Sequence, residues 1–295
     1  MKRILYLFIY IAVAVLAIGC GGRRSGVGRA TRGSENRYEN IIYVSIAPIK
    51  PLVEAIVGDD YQVEVLVPAG ASPETFELTA KQVIAINEAV MVFGTGLLDF
   101  ERSLLKRIHD QSKVVDLSRS IEVIAGSCSH THHSHHCHHG VDPHIWCSPK
   151  SLHTMATNIY NALVAAMPQS NYNDSYTALQ QRINQLDSTV AQMCSRASLP
   201  YFIIYHPALT YLARDYNLEQ VAIESDGKEP SAKRISQIIV RAREQGVKRI
   251  FYQSEFPKSV VSVIAEDIGA EAVEINPLSE NIFDNILNIT TLITE

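Results

Sequence analysis

Short apolar segments alternate with segments of helical periodicity from residue 41 to the end of the sequence, and this alternation limits the possible folds more than any other feature. It runs through two halves separated by one long helical stretch. Such alternation is typical of parallel sheets covered by helices. The sequence therefore predicts an α/β fold with two parallel-sheet lobes, at residues 41–170 and 199–295. The expected strands are residues 41–47, 61–67, 90–93 and 114–115 in the first half, and 201–205, 220–223, 248–252 and 270–275 in the second.

The stretch between the halves predicts a single linking helix within residues 171–198. Residues 175–197 contain neither Gly nor Pro, and their apolar positions fall three or four residues apart, which forms one stripe on a helix. Such a helix is roughly 35 Å long. A coiled-coil dimer seam is the alternative interpretation. Because the stripe lasts only about three heptads, we expect one helix packed across both lobes of a monomer. The stripe consists of Tyr176, Leu179, Ile183, Leu186, Val190 and Met193.

The N-terminus predicts export and attachment to a membrane. A basic head at residues 1–3 is followed by an almost wholly apolar run at 4–18 and by small residues just before Cys20. This is typical of a bacterial lipoprotein signal, residues 1–19, cleaved before a cysteine that receives lipid. Residues 20–40, rich in Gly, Ser and Arg, then predict a flexible tether. An uncleaved transmembrane anchor is the alternative, and both interpretations leave the folded part exported and tethered.

A histidine-rich segment at residues 128–139 predicts metal capture. Seven of the 11 histidines lie in it, and a tract this polar cannot form a packed core, so we expect a loop. Cys128 and Cys137 flank the tract and either form a disulfide or bind metal; the sequence leaves this open. The net charge of −5, with both signs spread along the chain, gives no indication of nucleic-acid binding. The histidines of the tract are His130, His132, His133, His135, His136, His138 and His139.

Four metal-competent side chains follow predicted strands or the histidine tract. Glu74 comes after the strand ending at residue 67, His144 after the tract, His206 directly after residues 201–205, and Glu280 after residues 270–275. Ligands of open parallel sheets bind beyond the carboxyl ends of the strands. Two imidazoles and two carboxylates suit Zn²⁺, Mn²⁺ or Fe²⁺. We therefore predict a metal site between the lobes, although each acid taken alone could be an ordinary surface residue.

Five segments of the sequence resemble one family, the cluster A-I solute-binding lipoproteins of metal ABC transporters. The resemblance implies two α/β lobes joined by a long backbone helix, with the metal at their interface. It also implies a binding protein rather than an enzyme, one that hands metal to a membrane permease driven by a cytoplasmic ATPase. A histidine-rich insertion is typical of the zinc branch. The segments are residues 67–77; 93–97; 142–146, which begin with the Asp-Pro-His motif, together with 148–149; 205–206 together with 211–216; and 227–231.

The resemblance also implies which residues hold the metal. His144 and His206 match the second and third ligand positions of the family. At the first position, where the family usually has histidine, this sequence has Glu74, and the acidic fourth ligand would fall near Glu280. The histidine tract favours zinc, whereas the two carboxylates favour manganese or iron. We expect zinc uptake at the periplasmic face of the membrane.

Two other functions remain as alternatives. An exported metallohydrolase would use Glu74 as general base beside a metal-bound water. The sequence has neither the His-Glu-x-x-His helix nor the nucleophile elbow of such enzymes. A surface adhesin or metal buffer is the second alternative, but no separate adhesion module is visible in the sequence.

Overall fold

The computed structural model describes residues 40–125, 140–224, 230–256 and 258–295. The predicted signal peptide, the lipidation site Cys20, the tether, the histidine tract with its seven histidines, and Cys128 and Cys137 lie outside the described residues. Within the described ranges, no helix is both long enough and apolar enough to span a bilayer.

A four-stranded parallel sheet forms the centre of the first lobe, in the order β2-β1-β3-β4. The central strand β3 is buried at every position, as expected for a parallel sheet covered on both faces. The strand β1 ends at Val44, earlier than predicted, because Pro48 starts a short 3₁₀ turn at Ala47–Ile49. The strands are β1 (Ile41–Val44), β2 (Gln62–Val65), β3 (Met91–Gly94) and β4 (Val114–Asp116), and the helices of this lobe are α1 (Lys50–Val57), α2 (Ala80–Glu88), α3 (Asp99–Leu105) and α4 (Pro149–Ala166).

The second lobe repeats this strand order, as β6-β5-β7-β8, again with all strands parallel. Ile204 in the central strand pairs with Ala222 on one side and with Phe251 on the other. The prediction of two parallel-sheet α/β lobes is confirmed. The strands are β5 (Tyr201–Ile204), β6 (Glu219–Ala222), β7 (Arg249–Tyr252) and β8 (Glu271–Glu274), and the helices are α6 (Thr210–Asp215), α7 (Ala232–Gln245), α8 (Lys258–Ile268) and α9 (Ile282–Thr294).

The linking helix α5 (Asn173–Ser195) contains 23 residues and contacts both lobes. It packs against α1 and α4 of the first lobe and against α9 of the second. Four residues of the predicted stripe are buried, and Cys194 ends the buried stripe where Met193 was expected. The guanidinium of Arg182 lies 3.8 Å above the ring centroid of Phe283 in α9. The helix therefore crosses both lobes, as its apolar period predicts.

The lobes share buried contacts in addition to the linking helix. One hydrophobic core extends from Ile42 in β1 to Ile293 in α9. The buried Trp146 donates a hydrogen bond from Nε1 to the carbonyl oxygen of Pro277, at 2.9 Å, across the boundary between the lobes. Buried apolar area contributes about 25 cal/mol per Å². Moving the two lobes far apart would therefore expose buried apolar side chains, and the free-energy cost of that exposure limits the relative motion of the two sheets.

Candidate metal centre

Three of the four predicted ligands converge at the boundary between the lobes. The Nε2 atoms of His144 and His206 lie 3.2 Å apart. The Glu74 Oε1 atom lies 3.1 Å from His206 Nε2 and 4.0 Å from His144 Nε2. All three ligand atoms lie within 4.8 Å of one another. Ligands that bind a tetrahedral metal at about 2.0–2.2 Å lie roughly 3.4 Å from each other. The spacing of these donors therefore fits a single divalent ion.

Local structure explains how each side chain reaches this point. His206 follows the end of β5 by two residues, as predicted, and is buried. His144 immediately precedes a 3₁₀ turn at Ile145–Cys147, whose buried apolar side chains fix the segment in the core. Glu74 lies in the loop between β2 and α2, with its side chain 36% exposed. The site is thus built from two buried imidazoles and one carboxylate that faces solvent.

Each imidazole contacts a second carboxylate on the side away from the centre. Asp142 Oδ1 lies 2.8 Å from His144 Nδ1, and Glu224 Oε1 lies 2.6 Å from His206 Nδ1. Because a carboxylate accepts hydrogen bonds, these contacts place a proton on Nδ1 of each ring and turn its Nε2 atom toward Glu74. A carboxylate behind a histidine ligand fixes its tautomer and orientation and raises its basicity. Both rings are therefore held with Nε2 toward the centre of the group, the orientation that a histidine needs to ligate a metal there.

The charges of the site shift the pKa values of its members. Burial acts to lower the pKa of His206, but hydrogen bonds to Glu224 and Glu74, with their charges, raise it to about 9. Burial acts to raise the pKa of Glu74, yet its hydrogen bond to His206 and the charges of the histidines leave that pKa lowered. The pKa of Asp142 is lowered too, since its contact with His144 outweighs burial. In the metal-free protein at neutral pH, His206 is therefore protonated and can donate to Glu74.

The main chain and the ring of His206 are also held in place. Gln253, which is buried, accepts from the His206 N–H at 3.3 Å and donates from Nε2 to the His206 carbonyl at 2.9 Å. Phe256 stacks on the imidazole with ring centroids 4.9 Å apart and planes inclined by 17°. The imidazole of His206 therefore has little freedom to rotate. The pocket around the three donors is lined further by Ser72, Pro73, Trp146, Ala208, Glu255, Pro277 and Leu278.

The structure does not bring the fourth predicted ligand, Glu280, to this group. Its carboxylate lies 2.9 Å from the ammonium of Lys50, and its side chain is 54% exposed. The segment that precedes it is held where the Pro277 carbonyl accepts from Trp146. Glu255, after β7, lines the pocket instead.

Two residues that hold His206 at the candidate site could not be identified from the sequence pattern. Glu224 and Gln253 each lie two residues or fewer beyond the carboxyl end of a strand, β6 or β7. Asp142 precedes His144 by two residues, but the sequence alone did not indicate that it is the partner of that imidazole. The sequence feature that could have indicated Glu224 is its position, since it is an acidic residue just after a strand.

The arrangement presents two imidazole nitrogens and one carboxylate oxygen to a common point. Borderline divalent metals such as Zn²⁺ favour such mixed nitrogen and oxygen donors, and a carboxylate also suits Mn²⁺ and Fe²⁺. Three protein donors leave a coordination position for a further ligand. The site is therefore suited to bind one transition metal ion and release it again.

The chain matches one protein family over most of its length. The family profile described as "Zinc-uptake complex component A periplasmic" matches residues 42–291. A putative metal-binding protein of Chlamydia muridarum is 29% identical over 265 residues, covering 88% of this chain and 93% of that protein. The zinc-binding lipoprotein AdcA of Streptococcus pneumoniae is 25% identical, covering 94% of this chain but only 56% of AdcA, so this chain spans little more than half of AdcA. The crystal structure of ZnuA is similar with a TM-score of 0.79 and 30% identity, covering 87% of this chain and 98% of ZnuA.

Proposed function

This chain belongs to the periplasmic zinc-uptake component A family, and we propose that it captures a divalent transition metal, zinc first of all, for import by an ABC transporter. The observation that carries the proposal is the convergence of Glu74, His144 and His206 on one point. Asp142 and Glu224, which hold the far side of each imidazole, support it. The bound metal is cargo, so the protein carries it and leaves it chemically unchanged.

The choice of zinc rests on the donors and on the relatives. Imidazole suits Zn²⁺ better than it suits Mn²⁺, and two of the three donors are imidazoles. AdcA, one of the similar proteins, is named a zinc-binding lipoprotein. Glu74 makes the set of donors harder than three histidines would be, which keeps manganese or iron as the alternative cargo.

Elemental analysis of protein purified without added metal, followed by competition between Zn²⁺ and Mn²⁺, tests this proposal. We expect about one equivalent of zinc and preferential retention of zinc in the competition. One equivalent of manganese or iron would keep transport as the function but change the cargo. A protein that binds none of these ions tightly would overturn the proposed function.

The uptake complex implies a permease in the inner membrane and its cytoplasmic ATPase as partners. The N-terminal signal and Cys20 support a mature protein anchored by lipid at the periplasmic side of the membrane. Metal would then be captured and delivered close to the permease.

The donor that completes the coordination can be identified by comparing two acids. Glu255 lines the metal pocket, whereas Glu280 is paired with Lys50. We expect Glu255→Gln to weaken zinc binding about tenfold, because an amide oxygen is a poorer metal donor than a carboxylate. Glu280→Gln serves as the matched control, with an expected change within about twofold, since it loses only an exposed ion pair. Chelator competition measures both, and the reverse ranking would restore Glu280 as the ligand.

Deleting residues 128–139 should remove weak metal binding and leave one tight site. The tract carries seven histidines, while Glu74, His144 and His206 all lie outside it. The weak binding should fade as pH falls through the ordinary imidazole pKa of about 6.5. Titration calorimetry on the deletion variant tests this. The main effect of the deletion should be slower growth of cells when zinc is scarce.

A variant with the seven histidines replaced by serine controls for the length of the tract. It should behave as the deletion does, because imidazoles and not chain length provide the weak sites. Loss of the tight site in both variants would mean that the tract itself supplies ligands. The chain would then store metal rather than pass it on, as the buffer alternative requires.

A further inference from the structure

The short helix α6 contacts the chain on both sides of His144, although it belongs to the other lobe. It begins four residues after His206. We propose that α6 fixes the position of His144 relative to His206. The Tyr211 hydroxyl is the group on α6 that positions Asp142 behind His144. This inference rests on the proposed function, because the two histidines are taken as ligands of the same ion.

The Tyr211 hydroxyl bonds to two chain segments, one at Ile124 and the other at Asp142. Its side chain is fully buried, and its hydroxyl donates to the Asp142 carbonyl at 2.8 Å and accepts from the Ile124 N–H at 3.2 Å. The Asp142 N–H donates to the Ile124 carbonyl at 2.8 Å, and Ala125 and Val141 form an antiparallel bridge. These residues flank the histidine tract. The hydroxyl therefore adds to the contacts between the described residues before and after positions 126–139.

Asp142 transfers this constraint to the metal ligand. Its Oδ1 atom accepts from the His144 main-chain N–H at 2.9 Å and lies 2.8 Å from His144 Nδ1. Both contacts use the same oxygen, so a displacement of Asp142 weakens both together. Tyr211 thus acts on the imidazole of His144 through Asp142, which contacts both residues.

The last turn of α6 holds the chain beyond His144. Asp215 accepts a hydrogen bond from the Ser148 hydroxyl, and its carbonyl accepts from the Lys150 ammonium at 2.9 Å. Arg214 donates to the Glu122 carbonyl at 2.7 Å and to the Asp215 carboxylate at 2.8 Å. Positions 142 and 148 are therefore both attached to one helix, and that helix begins four residues after His206.

Tyr211→Phe tests the proposal because it removes the hydroxyl and keeps the ring. We expect zinc binding to weaken about three- to tenfold, the effect typical of one buried hydrogen bond, because only one of the two bonds that the hydroxyl makes is to Asp142. Asp142→Asn alone should weaken binding about 10- to 100-fold, as is typical for loss of a carboxylate behind a histidine ligand. Because Tyr211 acts through Asp142, adding Tyr211→Phe to Asp142→Asn should change affinity by less than about twofold.

Tyr216→Phe is the matched control. Its hydroxyl donates to Asp187 of the linking helix at 2.5 Å, so the variant also loses a largely buried tyrosine hydrogen bond between elements. We expect it to lower the melting temperature while leaving zinc affinity within about twofold. If Tyr211→Phe unfolds the protein, Asp215→Asn provides the second variant, and it should weaken zinc binding without loss of secondary structure.

NMR of the His144 Nδ1 proton separates positioning from general stability. Its resonance should shift upfield in Tyr211→Phe, as the contact with Asp142 lengthens, and should stay in place in Tyr216→Phe. The metal-free protein gives the same readout. A wild-type protein that fails to bind zinc would therefore contradict the proposed function, while the contact between Asp142 and His144 could still be measured. Additive losses in the double variant, or an unmoved proton in Tyr211→Phe, would overturn the positioning role.

Discussion

Replacing His144 or His206 by alanine is expected to weaken zinc binding by more than about 100-fold. Loss of a carboxylate behind a histidine ligand alone costs about 10- to 100-fold, and removal of the ligand itself should cost more. Each imidazole is one of only three donors within the described cluster, so none is spare. Competition with a chelator of known zinc affinity measures the loss, and circular dichroism verifies the fold.

His153→Ala is the matched control for that experiment. His153 lies on the exposed face of α4, so the substitution removes an imidazole without touching the site. Zinc affinity should remain within about twofold of the wild type. An unchanged affinity in the double variant of His144 and His206 would rule out the proposed centre.

Much of the fold could be predicted from local patterns in the sequence. Strands such as β3 and β5 are short apolar runs, and the stripe along α5 has a helical period, so both signals lie within a few neighbouring residues. The strand ends were less predictable, because they depend on local terminators such as Pro48. The lobe architecture followed from the order of the elements, since strands that alternate with helices form parallel sheets.

The clustering of His144 and His206 could be predicted because each is marked by its place along the chain. His206 follows a strand directly, and His144 ends a low-complexity tract at the Asp-Pro-His motif. Their partners could not be predicted in the same way, because strand register brings them together. The pairing of β5 with β6 ends at Ile204 and Ala222, and the same register carried two residues further sets His206 beside Glu224.

The same register argument explains the contact of Gln253, and the lack of a register explains why the position of Glu280 could not be predicted. Ile204 pairs with Phe251, and two residues further His206 meets Gln253. Glu280 lies in a loop after β8, where no register fixes its direction, and an ion pair with Lys50 of the other lobe holds its carboxylate. A sequence pattern contains neither the register nor the partner across the lobes.

Glu224→Gln should make zinc binding weaker and also less dependent on pH. In the wild type, His206 with a pKa of about 9 must lose a proton before it binds metal. Zinc affinity should therefore rise about tenfold per pH unit from pH 6.5 to 8.5, because metal and proton compete for one nitrogen. The loss of Glu224 removes a major group that raises this pKa, and it also removes the support for the ring.

Below pH 9, these two consequences change the zinc affinity in opposite directions. Weaker support lowers the affinity of the deprotonated ligand by about tenfold, at the low end of the range for such carboxylates. A lower pKa means that less affinity is lost to proton competition, so the deficit should be largest at pH 8.5 and smaller at pH 6.5. Chelator competition across this range measures both, and calorimetry in buffers of different ionisation enthalpy should show fewer protons released near pH 8. A deficit that does not vary with pH would mean that Glu224 orients His206 without setting its protonation.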